Sequence, residues 1–260
     1  MYIASTDSTN NLMRASYMDR EDLFTIRTDF QTAGRGQQGN GWESEQGKNL
    51  LFTTLLRGWN IPAAEPFVLN EVVSVALYRA VVPLLTGYHA ERLSIKWPND
   101  LYYADRKLAG ILIENTLQGS QVNCSIVGIG LNVNQTIFLS SAPNPCSIAQ
   151  ITGTEHAIEP ILNAFLCQLQ DLHRWLCSGE YDAMCKTLHA DYMNCLYRRK
   201  GSYLWQEREV SLAPSMPQMQ HEAGQFMARI EAVSPNGELI LCTETNEKRT
   251  YHFKQVRYVL

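Results

Sequence analysis

The apolar positions change period several times along the first half of the chain, and each change marks an element boundary. Tyr2 to Ala4 reads as a short strand that turns into a helix, with Ser8 or Thr9 as N-cap before Asn10-Asn11-Leu12-Met13-Arg14-Ala15. Leu23 to Asp29 alternates apolar and polar residues as a strand does. Residues 32–48 are polar and hold five glycines, which predicts a long loop. Strand character returns from Leu50 to Leu56. A helix over Pro66 to Leu85 follows, apolar on most faces; Asn70, Glu71, Ser74 and Arg79 break the run, so it reads as a buried helix and not a membrane span. Leu93 to Trp97 is a strand stopped by Pro98, and Lys107–Asn115 and Val122–Val133 form adjacent antiparallel strands joined through Gly119-Ser120. Ile161, Leu162, Phe165, Leu166, Leu169, Leu172, Trp175 and Leu176 keep helical spacing, and Tyr181 to Cys195 predicts a second helix.

After Arg198 the pattern contains short strands only. Gly224–Val233 pairs with Glu238–Thr243 across Asn236-Gly237, a two-residue hairpin signal, and Tyr251–Leu260 supplies a further strand. Mixed helices and strands followed by strands alone imply two units, 1–195 and 196–260, the second suited to a small barrel.

Composition narrows the class without changing this outline. The chain has 260 residues, 45% hydrophobic and 18% charged, with a net charge of −4. A nucleic-acid binder needs a basic face to displace counterions, and the short cluster Arg198-Arg199-Lys200 does not make one. Seven cysteines without a CxxC pair, and an N-terminus with neither a basic nor an apolar leader region, point to the cytoplasm.

The candidate chemistry lies in four blocks. Gly34-Arg35-Gly36-Gln37-Gln38-Gly39 matches the glycine spacing of a dinucleotide fingerprint, but Asn40-Gly41-Trp42 follows where a helix should begin, and 53–60 lacks the required acid. What the block offers instead is flexible backbone, a permanent cation at Arg35 and an aromatic lid at Trp42, which suits a loop closing over a phosphate. Lys96-Trp97-Pro98-Asn99-Asp100 has two readings of equal standing, a plain turn or a ligand-facing strand end carrying a phosphate-binding lysine. Arg106-Lys107-Leu108-Ala109-Gly110-Ile111-Leu112-Ile113-Glu114 sets a lysine beside a dry pocket, where its charge acts strongly, and a glycine that lets a flat ligand approach. Gly128-Ile129-Gly130-Leu131-Asn132-Val133-Asn134 combines small residues with two asparagines able to bond a ribose or a base. Separately, His173/Cys177 and Cys185/His189 are i,i+4 pairs that read either as half-sites for zinc or as packing residues of amphipathic helices.

Taken in order and spacing, Ser8-Thr9-Asn10, the Gly34–Gly39 loop with Trp42, Lys96–Asp100, Arg106–Gly110 and Gly128–Asn132 resemble the biotin protein ligases. The tail, with Phe253-Lys254-Gln255-Val256, is similar to that family's small C-terminal domain. The resemblance implies an α+β fold, a mixed β-sheet with flanking helices like that of class II aminoacyl-tRNA synthetases, followed by an SH3-like β-barrel. It implies a ligase that activates biotin as biotinyl-5′-AMP with ATP and Mg²⁺ and transfers it to a lysine of the biotin carrier domain of a carboxylase. By the same resemblance Ser8, Thr9, Asn10 and Gln31 line the ureido end of the biotin pocket, closed by Trp42 and floored by Gly110. Gly34, Arg35 and Gly36 wrap the carboxylate and the α-phosphate, and Lys107 lies between carboxylate and α-phosphate. Lys96, Asn99 and Asp100 face the nucleotide, with Mg²⁺ near Asp100, and Asn132 lies near the adenosine. Lys107, Arg35 and Asp100 are the expected catalytic residues.

Two departures qualify this. Many relatives are basic where this chain has Gln37, Gln38 and Asn40, which bears on how tightly the intermediate is held. The chain begins at the catalytic domain without the helix-turn-helix of bifunctional relatives, so DNA binding is not expected. The alternatives are a lipoate or octanoate ligase or transferase on the same fold, or a biotin-binding protein without catalysis.

Overall fold

The structure, a computed structural model, describes residues 1–37, 40–139, 144–208 and 224–259. Gln38 and Gly39 of the glycine block lie outside the described residues, as does Leu260 at the end of the last expected strand.

The first half builds a seven-stranded mixed sheet. Its strands are β1 (Tyr2–Thr6), β2 (Thr25–Gln31), β3 (Leu50–Arg57), β4 (Leu93–Lys96), β5 (Asp100–Tyr103), β6 (Arg106–Gln118) and β7 (Gln121–Leu131), in spatial order β1-β2-β3-β7-β6-β5-β4. Only β1 and β2 pair in parallel. The long β6–β7 hairpin turns at Gly119, and its register sets Gly110 opposite Gly130 and Leu112 opposite Gly128.

β3 is buried along almost its whole length because both faces of the sheet are covered. On one face Phe52 meets Phe165 of α5 (Ile158–Cys177) edge-on at 5.3 Å, and α2 (Phe67–Val81) fills the centre of the core. Of the polar residues that interrupt α2, Glu71 accepts a 2.6 Å bond from His189 of α6 (Tyr181–Asn194) and Arg79 donates to Asp191 at 2.8 Å, while the buried Ser74 hydroxyl has no protein partner. On the other face α1 (Thr9–Ser16) packs Met13 against Ile26, Leu55, Cys124 and Ile126. Emptying the Phe165 position by substitution with alanine would cost about 3–5 kcal/mol.

Short helices complete the unit. α3 (Tyr88–Glu91) precedes β4, and α4 (Ile148–Thr152) follows β7. α4 is absent from the expected elements although its capping box, Ser147 with Gln150, is a sequence signature; five residues are too few to show a periodicity. Beyond α6 the backbone at Cys195 and Tyr197 bonds Ile95, covering the β4 edge before the chain leaves the sheet.

The second sheet is antiparallel, with β8 (Tyr203–Glu207), β9 (Gln225–Val233), β10 (Leu239–Thr243), β11 (Lys248–Tyr251) and β12 (Val256–Tyr258) in the order β11-β10-β9-β8-β12. The expected single strand from Tyr251 is in fact two, separated by a turn in which Lys254 has φ +72°. The hairpin loop is Pro235-Asn236-Gly237, three residues where two were expected, closed by Ser234 N to Glu238 O at 2.9 Å, with Gly237 at φ +84°. Trp205, Ala228 and Ile230 join the same apolar core as β4 and α2, so the two sheets pack as one body.

The two histidine–cysteine pairs do not converge. The His173 ring stacks on Trp59 at 4.2 Å, His189 is held by Glu71, and no group of three or more His, Cys, Asp or Glu side chains able to hold a metal exists among the described residues.

Candidate active site

The residues singled out from the sequence converge on a cleft on the α1 side of the large sheet. Its floor is made of positions without side chains. A Cβ at Gly128 would overlap the Asn10 amide, and one at Gly130 would overlap the Trp42 indole; at Gly110 it would stand 2.9 Å from that ring. Three glycines on two paired strands therefore make room for one asparagine and one tryptophan.

The closed end of the cleft is a polar cluster. Thr9 donates its backbone N–H (2.8 Å) and its hydroxyl (3.0 Å) to Gln31 Oε1. Thr53 Oγ1 lies 2.7 Å from Thr9 Oγ1 and 2.6 Å from Asn10 Oδ1, and Asn10 Nδ2 donates to Glu114 Oε2 at 3.1 Å. Ser8 stands at the N-cap of α1, as expected, but makes no side-chain capping bond and lines the cleft instead.

At the open end Lys107 Nζ lies 2.5 Å from Asp100 Oδ2 and 5.9 Å from the Trp42 ring. The pair forms because β5 runs beside β6 with Tyr102 opposite Lys107, while β4 and β5 make a tight hairpin whose turn is Trp97-Pro98-Asn99, with Lys96 opposite Asp100. Both readings of that block thus hold in part: it is a turn, and the turn faces the cleft. Asn99 donates to Asn70 Oδ1 at 2.9 Å and accepts from Gln37 Nε2 at 3.0 Å.

The glycine loop folds back as a narrow hairpin. Trp42 N bonds Gly34 O at 2.9 Å, Arg35 faces Gly41, and Gly36 N bonds Asn40 O at 2.6 Å. Gly36 and Arg35 line the cleft, whereas Gly34 does not; a Cβ at Gly34 would come 2.5 Å from the Trp42 carbonyl. The Arg35 guanidinium turns to the rim, donating to Asn11 Oδ1 at 2.7 Å and Glu114 Oε1 at 3.2 Å.

Two expected nucleotide ligands stand apart from the cavity. Lys96 does not line it; Nζ bonds the Tyr102 hydroxyl at 2.9 Å and lies over the Tyr102 and Tyr258 rings at 4.3 and 5.1 Å. Burial pushes its ammonium down to about 8, against the opposing pull of Asp100. Asn132 is buried beyond the end of β7, with Nδ2 donating to Cys146 O at 3.0 Å and Oδ1 without a protein partner. Neither placement follows from spacing, because it depends on where the hairpin is aimed and on which backbone reaches Asn132 from Cys146.

Thr53, Asn70 and Glu114 stand behind the cleft and bond residues that line it, and Phe253 lines it; none of the four was expected at the site. The first three reach it through cross-strand and helix–sheet register, which no local motif encodes. Phe253 comes from the second sheet, lines the cleft and meets Trp97 edge-on at 6.0 Å.

The cavity encloses about 120 Å³, below the ~300 Å³ lower range of sites that bury a small organic ligand. Trp42, seated over Gly110 and Gly130, lines the cavity and narrows it. Among the described residues Asp100 is the carboxylate that lines this cavity, a hard oxygen donor of the kind a divalent cation takes.

Residues 2–132 match the model of the biotin/lipoate A/B protein ligase family. The bifunctional ligase/repressor BirA of Escherichia coli (strain K12) is 34% identical over 127 residues, 49% of this chain and 38% of that protein. The biotin–[acetyl-CoA-carboxylase] ligase of Paracoccus denitrificans is 37% identical over 166 residues, 61% of this chain and 65% of that one. The chain thus spans less than two thirds of the length of these curated relatives. Among solved structures, the biotin protein ligase from Aquifex aeolicus in complex with biotin and ATP superimposes with a TM-score of 0.73 over 100% of this chain and 98% of that chain, at 20% identity, a likeness of fold.

Proposed function

The chain belongs to the biotin/lipoate A/B protein ligase family, and from that premise we propose that it activates biotin with ATP and transfers it to a lysine of a carrier domain. The observation that carries this reading is the cleft's polarity gradient. A bonded cluster of Thr9, Asn10, Gln31 and Thr53 closes one end, and the Lys107–Asp100 pair stands at the other. A cyclic urea can exchange hydrogen bonds with the first end while its carboxylate reaches the second. The methyl end of octanoate, or the dithiolane of lipoate, would desolvate those polar groups and return nothing, and such mismatches discriminate strongly. A protein that only retained biotin would have no use for a lysine–aspartate pair at the carboxylate.

In the first step a biotin carboxylate oxygen attacks the α-phosphorus of ATP and the bond to the β-phosphate oxygen breaks, giving biotinyl-5′-AMP and pyrophosphate. Lys107 holds the attacking carboxylate beside the phosphoryl group and offsets the charge gathering on its oxygens. Mg²⁺ bound with the nucleotide, near Asp100, would supply further charge neutralisation. Lys96 acts from behind the pair as a second, buried source of positive potential. In the second step the neutral ε-amine of the acceptor attacks the mixed anhydride, AMP departs, and Asp100 is the base positioned to take the released proton. Trp42 must leave the floor for the acid to enter, and its return excludes water from the anhydride.

The acceptor that fits this chemistry is the carrier domain of a biotin-dependent carboxylase. The seven cysteines, all unpaired, suit a reaction carried out in the cytoplasm, and the two sheets suit a catalytic unit ending near residue 195 and a smaller one after it. Biotin-dependent exchange of labelled pyrophosphate into ATP tests the proposal, with lipoate and octanoate run beside it. Exchange with biotin alone is the expected result. Exchange supported equally by octanoate would remove biotin as the substrate, and none with any acid would remove the reaction.

A further inference from the structure

Arg35 is the cation of the glycine loop, yet its guanidinium is not aimed at the Lys107–Asp100 pair. It is shared between α1 and β6, through Asn11 Oδ1 at 2.7 Å and Glu114 Oε1 at 3.2 Å. Glu114 is also bonded by Arg14 and by Asn10. One carboxylate, seven residues beyond Lys107 on the same strand, therefore collects two arginines and an amide at the rim of the cleft.

We propose that Glu114 is a positioning residue that fastens the glycine loop shut through Arg35, and so sets how long the acyl-adenylate is retained; the last clause rests on the reaction proposed above. Among its described residues, the loop from Gly34 to Trp42 has backbone bonds only within its own hairpin. Side chains must hold that hairpin to the body. At the described part of its tip the tie is neutral, Gln37 bonding Asn99 Oδ1 at 3.0 Å and Ile111 O at 3.2 Å. At its neck the tie is the Arg35–Glu114 ion pair.

The chemistry suits a reversible fastening. Burial raises the Glu114 pKa, but the bonds from Arg14 and Asn10 outweigh it and hold the group below its ordinary value, so it is ionised at neutral pH. When the loop opens and takes Arg35 away, Arg14 remains on the carboxylate, and no uncompensated charge is left behind. A partly exposed pair of this kind is weak enough to break in each cycle. Because Asn10, over Gly128, bonds the same carboxylate, the closed-end cluster and the loop are joined at Glu114.

The test uses Glu114→Gln, which keeps size and one acceptor oxygen while removing the charge. Two readouts separate the proposal from the reaction it serves. On unliganded protein, tryptic cleavage after Arg35 should accelerate about three- to fivefold, the range an exposed ion pair supports, with the melting temperature unchanged. Unaltered cleavage overturns the proposal whatever reaction the protein catalyses. With preformed biotinyl-5′-AMP and no acceptor, the intermediate should be lost about three- to fivefold faster, while pyrophosphate exchange stays within about twofold of wild type. Arg35→Ala should leak to a similar degree, and Arg35→Ala/Glu114→Gln no more than Arg35→Ala alone. Multiplying losses in the double variant, or exchange falling in step with retention, would assign Glu114 to general integrity instead. Arg14→Met, which leaves the Arg35 tie in place, should retain the intermediate as wild type does.

Discussion

At the residue scale, Lys107 lines the cleft and Lys96 is held behind it. Lys107 is paired with Asp100 at 2.5 Å and half-exposed to the cavity, so its removal leaves no buried charge alone. Lys107→Ala should therefore melt close to wild type while pyrophosphate exchange falls by about 10²–10³, the cost of deleting one preorganised charge-stabilising donor. Exchange at wild-type rate in the purified variant would end its catalytic assignment. Lys96 is caged by Tyr102 and Tyr258, and burial lowers it from an ordinary 10.5 to about 8. Between those values the unfolded chain keeps a proton that the folded chain has released, so stability contributed at Lys96 rises with pH across that window. Urea unfolding of wild type and Lys96→Met at pH 7 and pH 9.5 should show wild type gaining on the variant at the higher pH; a constant gap would mean that Lys96 is not strained by burial. The sequence marks both lysines as chemical. It does not separate them, because Lys96 and Asp100 stand opposite each other on a hairpin and only the packing of Tyr258, 162 positions further on, decides where the first is held.

At the scale of elements, the paired β6–β7 strands make the site, and their glycines were readable as close approach without saying what approaches. Gly128 receives Asn10 and Gly130 receives Trp42, both from segments far away in sequence. The strands themselves were legible, since β-branched and aliphatic runs bounded by Gly119-Ser120 need no tertiary information. Their register was not, and register is what sets Glu114, Leu112 and Gly110 along one face opposite Ile126, Gly128 and Gly130. Gly130→Ala isolates this. Its methyl would overlap the indole, a rigid group that cannot yield as a lysine would, so Trp42 must leave its seat. The expected outcome is a folded protein whose Trp42 fluorescence, identified by difference against Trp42→Phe, already resembles the biotin-bound state and responds little to added biotin. A normal fluorescence change on binding would show that Trp42 does not have to move for the acid to enter.

At the scale of the whole molecule, the pattern after Arg198 revealed a second set of strands but not that it completes the first unit. Trp97 Nε1 donates to Gly237 O at 2.9 Å, Phe253 lines the cleft, and Arg199 donates to Ile230 O at 2.8 Å. These ties start in the Trp97-Pro98-Asn99 turn and in the segment after α6, the same pieces that orient Asp100 and cover the β4 edge. A displacement of the second sheet is therefore felt at the Lys107–Asp100 pair without any unfolding of the first. The continuous apolar core further implies one cooperative transition for the two sheets. Gly237→Ala loads the junction twice: the residue has φ +84°, and a Cβ there overlaps the Phe67 ring at the start of α2. We expect a loss of about 1–3 kcal/mol, with intrinsic tryptophan fluorescence and far-ultraviolet circular dichroism still falling together at a lower temperature. Two separated transitions in the variant would mean that the sheets are joined at this turn alone and fold independently elsewhere. A single lowered transition, with exchange activity lost at temperatures where the protein remains folded, would make the junction part of the catalytic apparatus: the turn that positions Asp100 is held from one side by the large sheet and from the other by the small one.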